Sequence, residues 1–102
     1  MRKEELEDYQ RYHLTLDGEE SLVDKISPIL KKLIQRLLDL PENKSKSNIL
    51  NCFKKCMLSI NDFEDEIETV ERESILEAFY DLGEIVGLDP ASEFAEAWRG
   101  DW

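Results

Sequence analysis

Histidine occurs once in this chain, at His13, and cysteine twice, at Cys52 and Cys56. A structural zinc site takes four cysteine or histidine ligands, so these three residues fall short of one. The two cysteines lie four apart in a stretch that reads as helix. That spacing places them on one face but rarely meets disulfide geometry. The reading is two small, buried, reduced thiols. Proline occurs three times and glycine four, which leaves long uninterrupted stretches and favours helices. No alternating apolar pattern is present to suggest a strand, and no internal repeat. No window approaches 18 consecutive apolar residues, which argues against a membrane-spanning helix. The opening residues, Met-Arg-Lys-Glu-Glu-Leu-Glu-Asp, lack the apolar region of a secretory signal, so a cytoplasmic location is the expectation. Phosphate-cradling glycine loops, nucleophile motifs and dinucleotide fingerprints are missing too, and a non-enzymatic protein without a cofactor is expected.

What is present is apolar side chain and charge in quantity. The 102 residues are 41% hydrophobic and 36% charged, with 24 acidic and 13 basic side chains and a formal net charge of −11. This length predicts one domain, residues 1–102. The many Leu and Ile and nine aromatics argue against disorder, which needs low hydrophobicity alongside high charge. The negative balance argues against nucleic acid or an anionic membrane as partner, since both recruit cationic side chains.

Taken in order, the chain reads as all-α, a compact bundle of five or six helices without a sheet. A first helix is predicted from Arg2 to about Leu14, with Glu4, Glu5, Glu7 and Asp8 complementing its dipole. Leu6, Tyr9, His13 and Tyr12 form its narrow stripe, and Asp17-Gly18 is a turn signal. From Glu19 to Leu40, Leu22, Val23, Ile26, Ile29, Leu30, Leu33, Ile34, Leu37 and Leu38 recur at helical spacing. Pro28 falls inside this pattern: either one helix kinks there or Ser27 caps a new one with Pro28 at its first position, and the second reading, a short helix near Glu20–Ile26 followed by a longer one from Pro28, is preferred. After a polar loop, Ser45 or Ser47 is the expected N-cap of a helix reaching Asn61 or Asp62, with Ile49, Phe53, Met57 and Ile60 inward. Phe63 and Ile67 anchor the acidic stretch that follows. Thr69 is a candidate cap for a helix over Val70–Val86, in which Ile75, Phe79, Leu82 and Val86 form one row and Leu76 with Gly83 the next. Gly83 suggests close approach of a neighbouring backbone. Val86-Gly87-Leu88 reads as a helix end with Gly87 left-handed and Leu88 folding back. Asp89-Pro90 then caps a last short helix to Trp98. The core is expected from the Pro28–Leu40, Ser47–Asn61 and Val70–Val86 helices.

Candidate chemistry thins out on inspection. Asp62, Glu64, Glu66 and Glu68 alternate as calcium ligands can, but an EF-hand loop needs glycine at its sixth position, which is Ile67 counted from Asp62 and Glu66 counted from Asn61. No metal site is expected. His13 has no neighbouring nucleophile and reads as a surface or partly buried side chain. Arg99-Gly100-Asp101 matches an adhesion tripeptide by chance. Trp98 reads as core, while Trp102 either tucks back into the fold or anchors a partner.

The distribution of charge is the most informative feature. Residues 1–24 carry 8 acidic and 3 basic side chains, residues 25–55 carry 2 and 8, and residues 56–102 carry 14 and 2. Some of this polarity should be neutralised internally. Exposed pairs contribute only ~0–1 kcal/mol each, so stability does not require so lopsided a pattern. A surface of this kind steers a basic partner. In size, acidity and helical pattern the chain resembles the small acidic α-helical immunity proteins of bacterial toxin–immunity systems. That resemblance implies an inhibitor that covers the active site of a cationic toxin, often a nuclease, with carboxylates standing in for substrate phosphates. It carries no residue with it. The candidates come from the charge run: Asp62, Glu64, Asp65, Glu66, Glu68, Glu71 and Asp81, joined by Trp102. The polar side of the Val70–Val86 helix carries Glu71, Glu73, Glu77, Asp81 and Glu84. The alternative is a homo-oligomeric or scaffold-type helical protein that uses Trp102, Phe63 or the first helix as its interface.

Overall fold

Leu22, Ile26, Leu30, Leu33 and Leu37 recur three and four residues apart along the longest helix. The computed structural model, which describes residues 3–41 and 45–102, buries all five to 1% exposure or less. This helix, α2 (Glu20–Leu38), packs on α3 (Lys46–Ile60), and α4 (Thr69–Ile85) completes the core. A short helix, α1 (Lys3–Asp8), runs on into a π turn over Tyr9–His13 and packs on α2 and α4. Among the described residues the protein is all-α, with four α-helices and no strand.

The helix count corrects the expected five or six, and Pro28 accounts for part of the difference. The chain does not restart there; α2 passes through it. A proline inside a helix costs about 3 kcal/mol. Breaking the helix would take Leu22 and Ile26 off the stripe, and full burial of each contributes about 1.5–3 kcal/mol. Packing outweighs the local penalty, and Pro28 lies on the exposed side.

α3 begins as expected at Ser45. Its hydroxyl accepts from the Asn48 backbone N–H at 3.2 Å and the Asn48 side-chain Oδ1 accepts from the Ser45 N–H at 3.2 Å. Ile49, Cys52, Phe53, Cys56, Met57 and Ile60 are buried, and a 3-10 turn over Asn61–Glu66 extends the helix line. Ile67 is buried and Phe63 half-buried, so both anchor the acidic stretch.

α4 starts one residue earlier than its periodicity predicts. Glu68 is the N-cap, not Thr69, and the Glu71 carboxylate receives the Glu68 N–H at 3.0 Å. Its far end carries the expected motif. Gly87 has φ 90°, the Leu88 N–H donates to Gly83 O at 2.7 Å and the Gly87 N–H to Glu84 O at 3.1 Å. This doubly bonded ending satisfies two carbonyls and folds Leu88, 4% exposed, onto the core.

The last segment is not the single short helix expected. Asp89 accepts from the Ala91 N–H at 2.9 Å and caps a 3-10 turn over Pro90–Ser92. Glu93 then takes a left-handed φ of 51°, and a second 3-10 turn covers Phe94–Ala97. The break turns Phe94 inward, where its ring meets Phe53 edge-on at 5.3 Å and Tyr80 at 5.1 Å. Gly83 makes room for this ring, not for a backbone. A Cβ at position 83 would lie 2.8 Å from Phe94 Cζ.

Gly83→Ala therefore sets a helix-propensity gain of about 1 kcal/mol against displacement of a ring wedged between two others, where overpacking costs about 1–3 kcal/mol. The expected outcome is net destabilisation, read as a lower urea midpoint at unchanged slope.

Candidate functional site

The sequence names an acidic surface, and the structure divides it. A 3-10 turn has three residues per turn, which puts Asp62 and Asp65 on one side and turns Glu64 and Glu66 away from it. Asp62, Asp65 and Glu68 are exposed. Glu64 is half-buried, and its carboxylate accepts the Asp101 N–H at 3.1 Å. Glu66 pairs with Lys25 at 3.0 Å, both side chains nearly half exposed. Lys25 also lies over the Phe63 ring at 5.8 Å.

Asn61 organises the same region. Its Nδ2 donates to Trp98 O at 2.8 Å, and its Oδ1 accepts from the Gly100 N–H at 2.9 Å and from Trp102 Nε1 at 2.8 Å. One side-chain amide thus fastens residues 98–102 across the acidic turn. Trp102 tucks back, 7% exposed, with the Arg99 guanidinium 5.8 Å above its ring. It is no free anchor. Trp98, expected in the core, is only half-buried.

Glu71 also leaves the accessible surface. It is 7% exposed and accepts backbone N–H groups from Glu19 and Glu68. Its role is structural, because a buried carboxylate needs donors of this kind.

Asp81 lines an open cleft. Glu77, Asp81 and Glu84 follow at i, i+4 and i+7 along exposed α4, a spacing that aligns them on one side. α1 lies across this row. In its π turn the Leu14 N–H reaches Tyr9 O at 2.8 Å, and this wider turn leaves Glu5, Tyr9 and His13 along one side. Together with Ile85 these residues line an open cleft of about 480 Å³. The Tyr9 hydroxyl donates to Asp81 at 3.4 Å. Burial, then the charge of Asp81 and its hydrogen bond, then the charge of Glu77, push the Tyr9 phenol from 10.0 up to about 12. The cleft therefore presents a neutral phenol within a field of carboxylates. Its aromatic wall continues from Tyr9 to the exposed His13, ring centroids 6.1 Å apart.

The chemistry open to this arrangement is cation recognition by side-chain carboxylates. Among the described residues no three His, Cys, Asp or Glu side chains converge closely enough to hold a metal ion. Both cysteines are buried and unbridged. Desolvation raises the Cys52 thiol and pushes Cys56 up to about 12, so neither supplies a nucleophilic thiolate at neutral pH.

The expected internal neutralisation is slight. Between described residues the ion pairs are Lys25–Glu66 and the local Glu96–Arg99 contact at 3.1 Å. Lys31, Lys32, Arg36, Lys54 and Lys55 on α2 and α3 reach no carboxylate of the described residues at ion-pair distance. Among the described residues, Lys25–Glu66 is the ion pair that joins the acidic and basic stretches. No helix among the described residues is long and apolar enough to cross a membrane. Comparison with family models, curated proteins and solved structures finds no match.

Two outcomes follow from this geometry. Asn61→Ala removes three hydrogen bonds at once and should free residues 98–102 at a cost of about 1–3 kcal/mol. In a Trp98→Phe background, Trp102 emission should shift to the red under native conditions. An unshifted spectrum would show that the clasp does not hold the ring. Separately, Tyr9 carries a folded-state pKa above its unfolded value. Its contribution to stability is complete below pH 10.0 and lost as pH rises through about 12. Unfolding free energy should fall across that window in the wild type and fall less in Tyr9→Phe.

Proposed function

We propose that this chain is a non-enzymatic binding protein whose α1–α4 face receives a basic protein partner, and that the partner is a cationic toxin domain, such as a nuclease, whose active site it covers. The observation that carries the reading is the unneutralised polarity of the surface. Carboxylates of residues 56–102 stay largely on the outside, and a single ion pair, Lys25–Glu66, joins them to the basic helices among the described residues. The principal dimensions are 38 × 28 × 21 Å, and charge is screened over ~8 Å at physiological salt. An approaching protein therefore meets each face separately and not the mean charge of −11.

The cleft lined by Glu77, Asp81 and Tyr9 is the centre of this surface. A lysine or arginine side chain fits its chemistry, with carboxylates for the charge and an aromatic wall for the stem. The exposed Asp62, Asp65 and Glu68 extend the acidic field on the surface. Glu66 joins when its exposed pair with Lys25 opens, which costs at most ~1 kcal/mol. Nuclease active sites bind phosphates through cationic groups, so a carboxylate row is a suitable mimic. Of the three interfaces open to the scaffold-type alternative, Trp102 is buried and Phe63 half-buried, which leaves it the first helix.

The direct experiment is co-purification with the product of the adjoining gene, at about 50 mM and about 0.5 M salt. The expected result is retention of a basic protein at low salt, with association slowed several-fold by Glu77→Gln/Asp81→Asn and by high salt. Loss of activity of that partner when the chain is added would support the inhibitor role. Retention that ignores both salt and the double substitution would remove the charge-based reading.

A further inference from the structure

Glu71 and Ser74 are the two buried polar side chains among the described residues. They lie three apart on α4, hence on one face, and both hold the same short segment. Glu71 Oε2 accepts the Glu19 N–H at 3.3 Å while its Oε1 accepts the Glu68 N–H at 3.0 Å. Ser74 Oγ accepts the Asp17 N–H at 3.0 Å. Between these bonds Gly18 takes φ 132°, and a Cβ there would overlap the Glu71 carboxylate. Asp17, Gly18, Glu19 and Glu20 are all exposed and bring no apolar side chain to the contact. Polar bonds hold this segment to α4.

The chemistry explains why a carboxylate stands at position 71. Two backbone N–H groups approach from different elements, one per oxygen. An amide side chain offers only one acceptor oxygen. Leaving either donor unmatched in a buried setting costs more than an exposed hydrogen bond is worth.

We propose that Glu71 and Ser74 are positioning residues for the acidic cleft: by fastening Asp17–Glu19 to α4 they hold α1 and its π turn against Glu77, Asp81 and Glu84. The proposal rests on the reading of that cleft as the partner surface. α1 has few other attachments. Leu6 and Tyr9 are its buried side chains, and Tyr9 adds the 3.4 Å bond to Asp81. Without the latch, the Tyr9–His13 wall keeps Leu6, Tyr9 and the partly buried Leu14 and Leu16 as its apolar attachments, and no backbone bond from Asp17 or Glu19 to α4. The latch therefore decides whether the carboxylate row faces a formed cleft or open solvent.

The test uses Glu71→Ala and the milder Ser74→Ala, with Glu73→Gln as a control. Glu73 is exposed on α4, and its change removes one charge without touching the latch. Amide hydrogen exchange reads the wall. Exchange of residues 3–14 should speed roughly tenfold or more in the latch variants, while α3 amides keep their protection. Titration with hexalysine, followed by amide chemical shifts, reads the cleft. Wild type and Glu73→Gln should shift at Tyr9, His13, Glu77 and Asp81, and the latch variants should lose most of that response while shifts near Asp62 and Asp65 persist. Exchange that speeds equally in α1 and α3, in both latch variants, would overturn the proposal. So would an unchanged cleft response. If hexalysine leaves the wild-type cleft unmoved, the partner reading fails, and the exchange data alone decide the latch. Glu71→Gln keeps one acceptor and should restore part of both signals.

Discussion

The ring of Phe94 is the contact on which the rest of the structure depends. It stands edge-on to Phe53 of α3 and to Tyr80 of α4, and it fills the space that Gly83 leaves open. Phe53 in turn meets Phe79 at 5.8 Å. Each such pair contributes about 0.5–1.5 kcal/mol beyond its burial. More important is what the pairs fix. They set the rotation of α4 about its own axis, because Phe79, Tyr80 and Gly83 must all face the same cluster. Once that rotation is set, Glu77, Asp81 and Glu84 can only face away from it. The helix ending reinforces the arrangement, since the Leu88 N–H bond to Gly83 O draws the chain back toward the same spot. The outward carboxylate row is therefore a consequence of the aromatic core.

Charge contributes little to holding this fold together. Its exposed ion pairs are worth ~0–1 kcal/mol each, and like charges crowd on the α4 side. The one charged side chain taken inside, Glu71, is matched to backbone donors and not to a cation. Every buried polar side-chain atom among the described residues has a partner. Core packing and capping supply the stability, and the outer charges are left to do something else. A surface sorted into acidic and basic regions repels itself locally. Selection for stability alone would mix the signs, which is why the sorting points toward binding.

What was legible in the sequence follows the range of each interaction. The α4 ending was readable because Val86-Gly87-Leu88 specifies it within three residues. The Ser45 cap was readable for the same reason, and so were the apolar rows of α2, α3 and α4. Pro28 misled because its penalty is local while the stripe that overrides it extends in both directions. The segment after Pro90 misled because Phe94 answers to Phe53, forty-one positions away, and only a left-handed Glu93 lets it do so. The site was half legible. The row Glu77, Asp81, Glu84 could be read from spacing, whereas its other wall could not. Nothing local to residues 3–13 says that they lie across α4. The acidic candidates from Asp62 to Glu71 read stronger in sequence than they are, because sequence cannot show Glu64 and Glu71 bonded to distant backbone.

The two acidic regions also differ in how rigidly they are held, and this matters for recognition. The Asn61–Glu66 turn continues α3 and is crossed by residues 98–102 through three bonds to one amide. Its geometry is set, but its carboxylates diverge and two of them are engaged. The α1–α4 cleft gathers Glu77 and Asp81 along one helix side but has one weakly fastened wall. A binding surface gains affinity when its geometry is formed before the partner arrives, because ordering at the moment of contact subtracts from the interaction. α1 is the α-helix with the fewest buried side chains, so the cleft opens more readily than the core. On the proposed reading, affinity for a cationic partner is therefore coupled to the α-helix with the fewest buried side chains. Of the bonds between that helix's trailing loop and the rigid part of the molecule, those made by Glu71 and Ser74 are the ones that reach α4 itself.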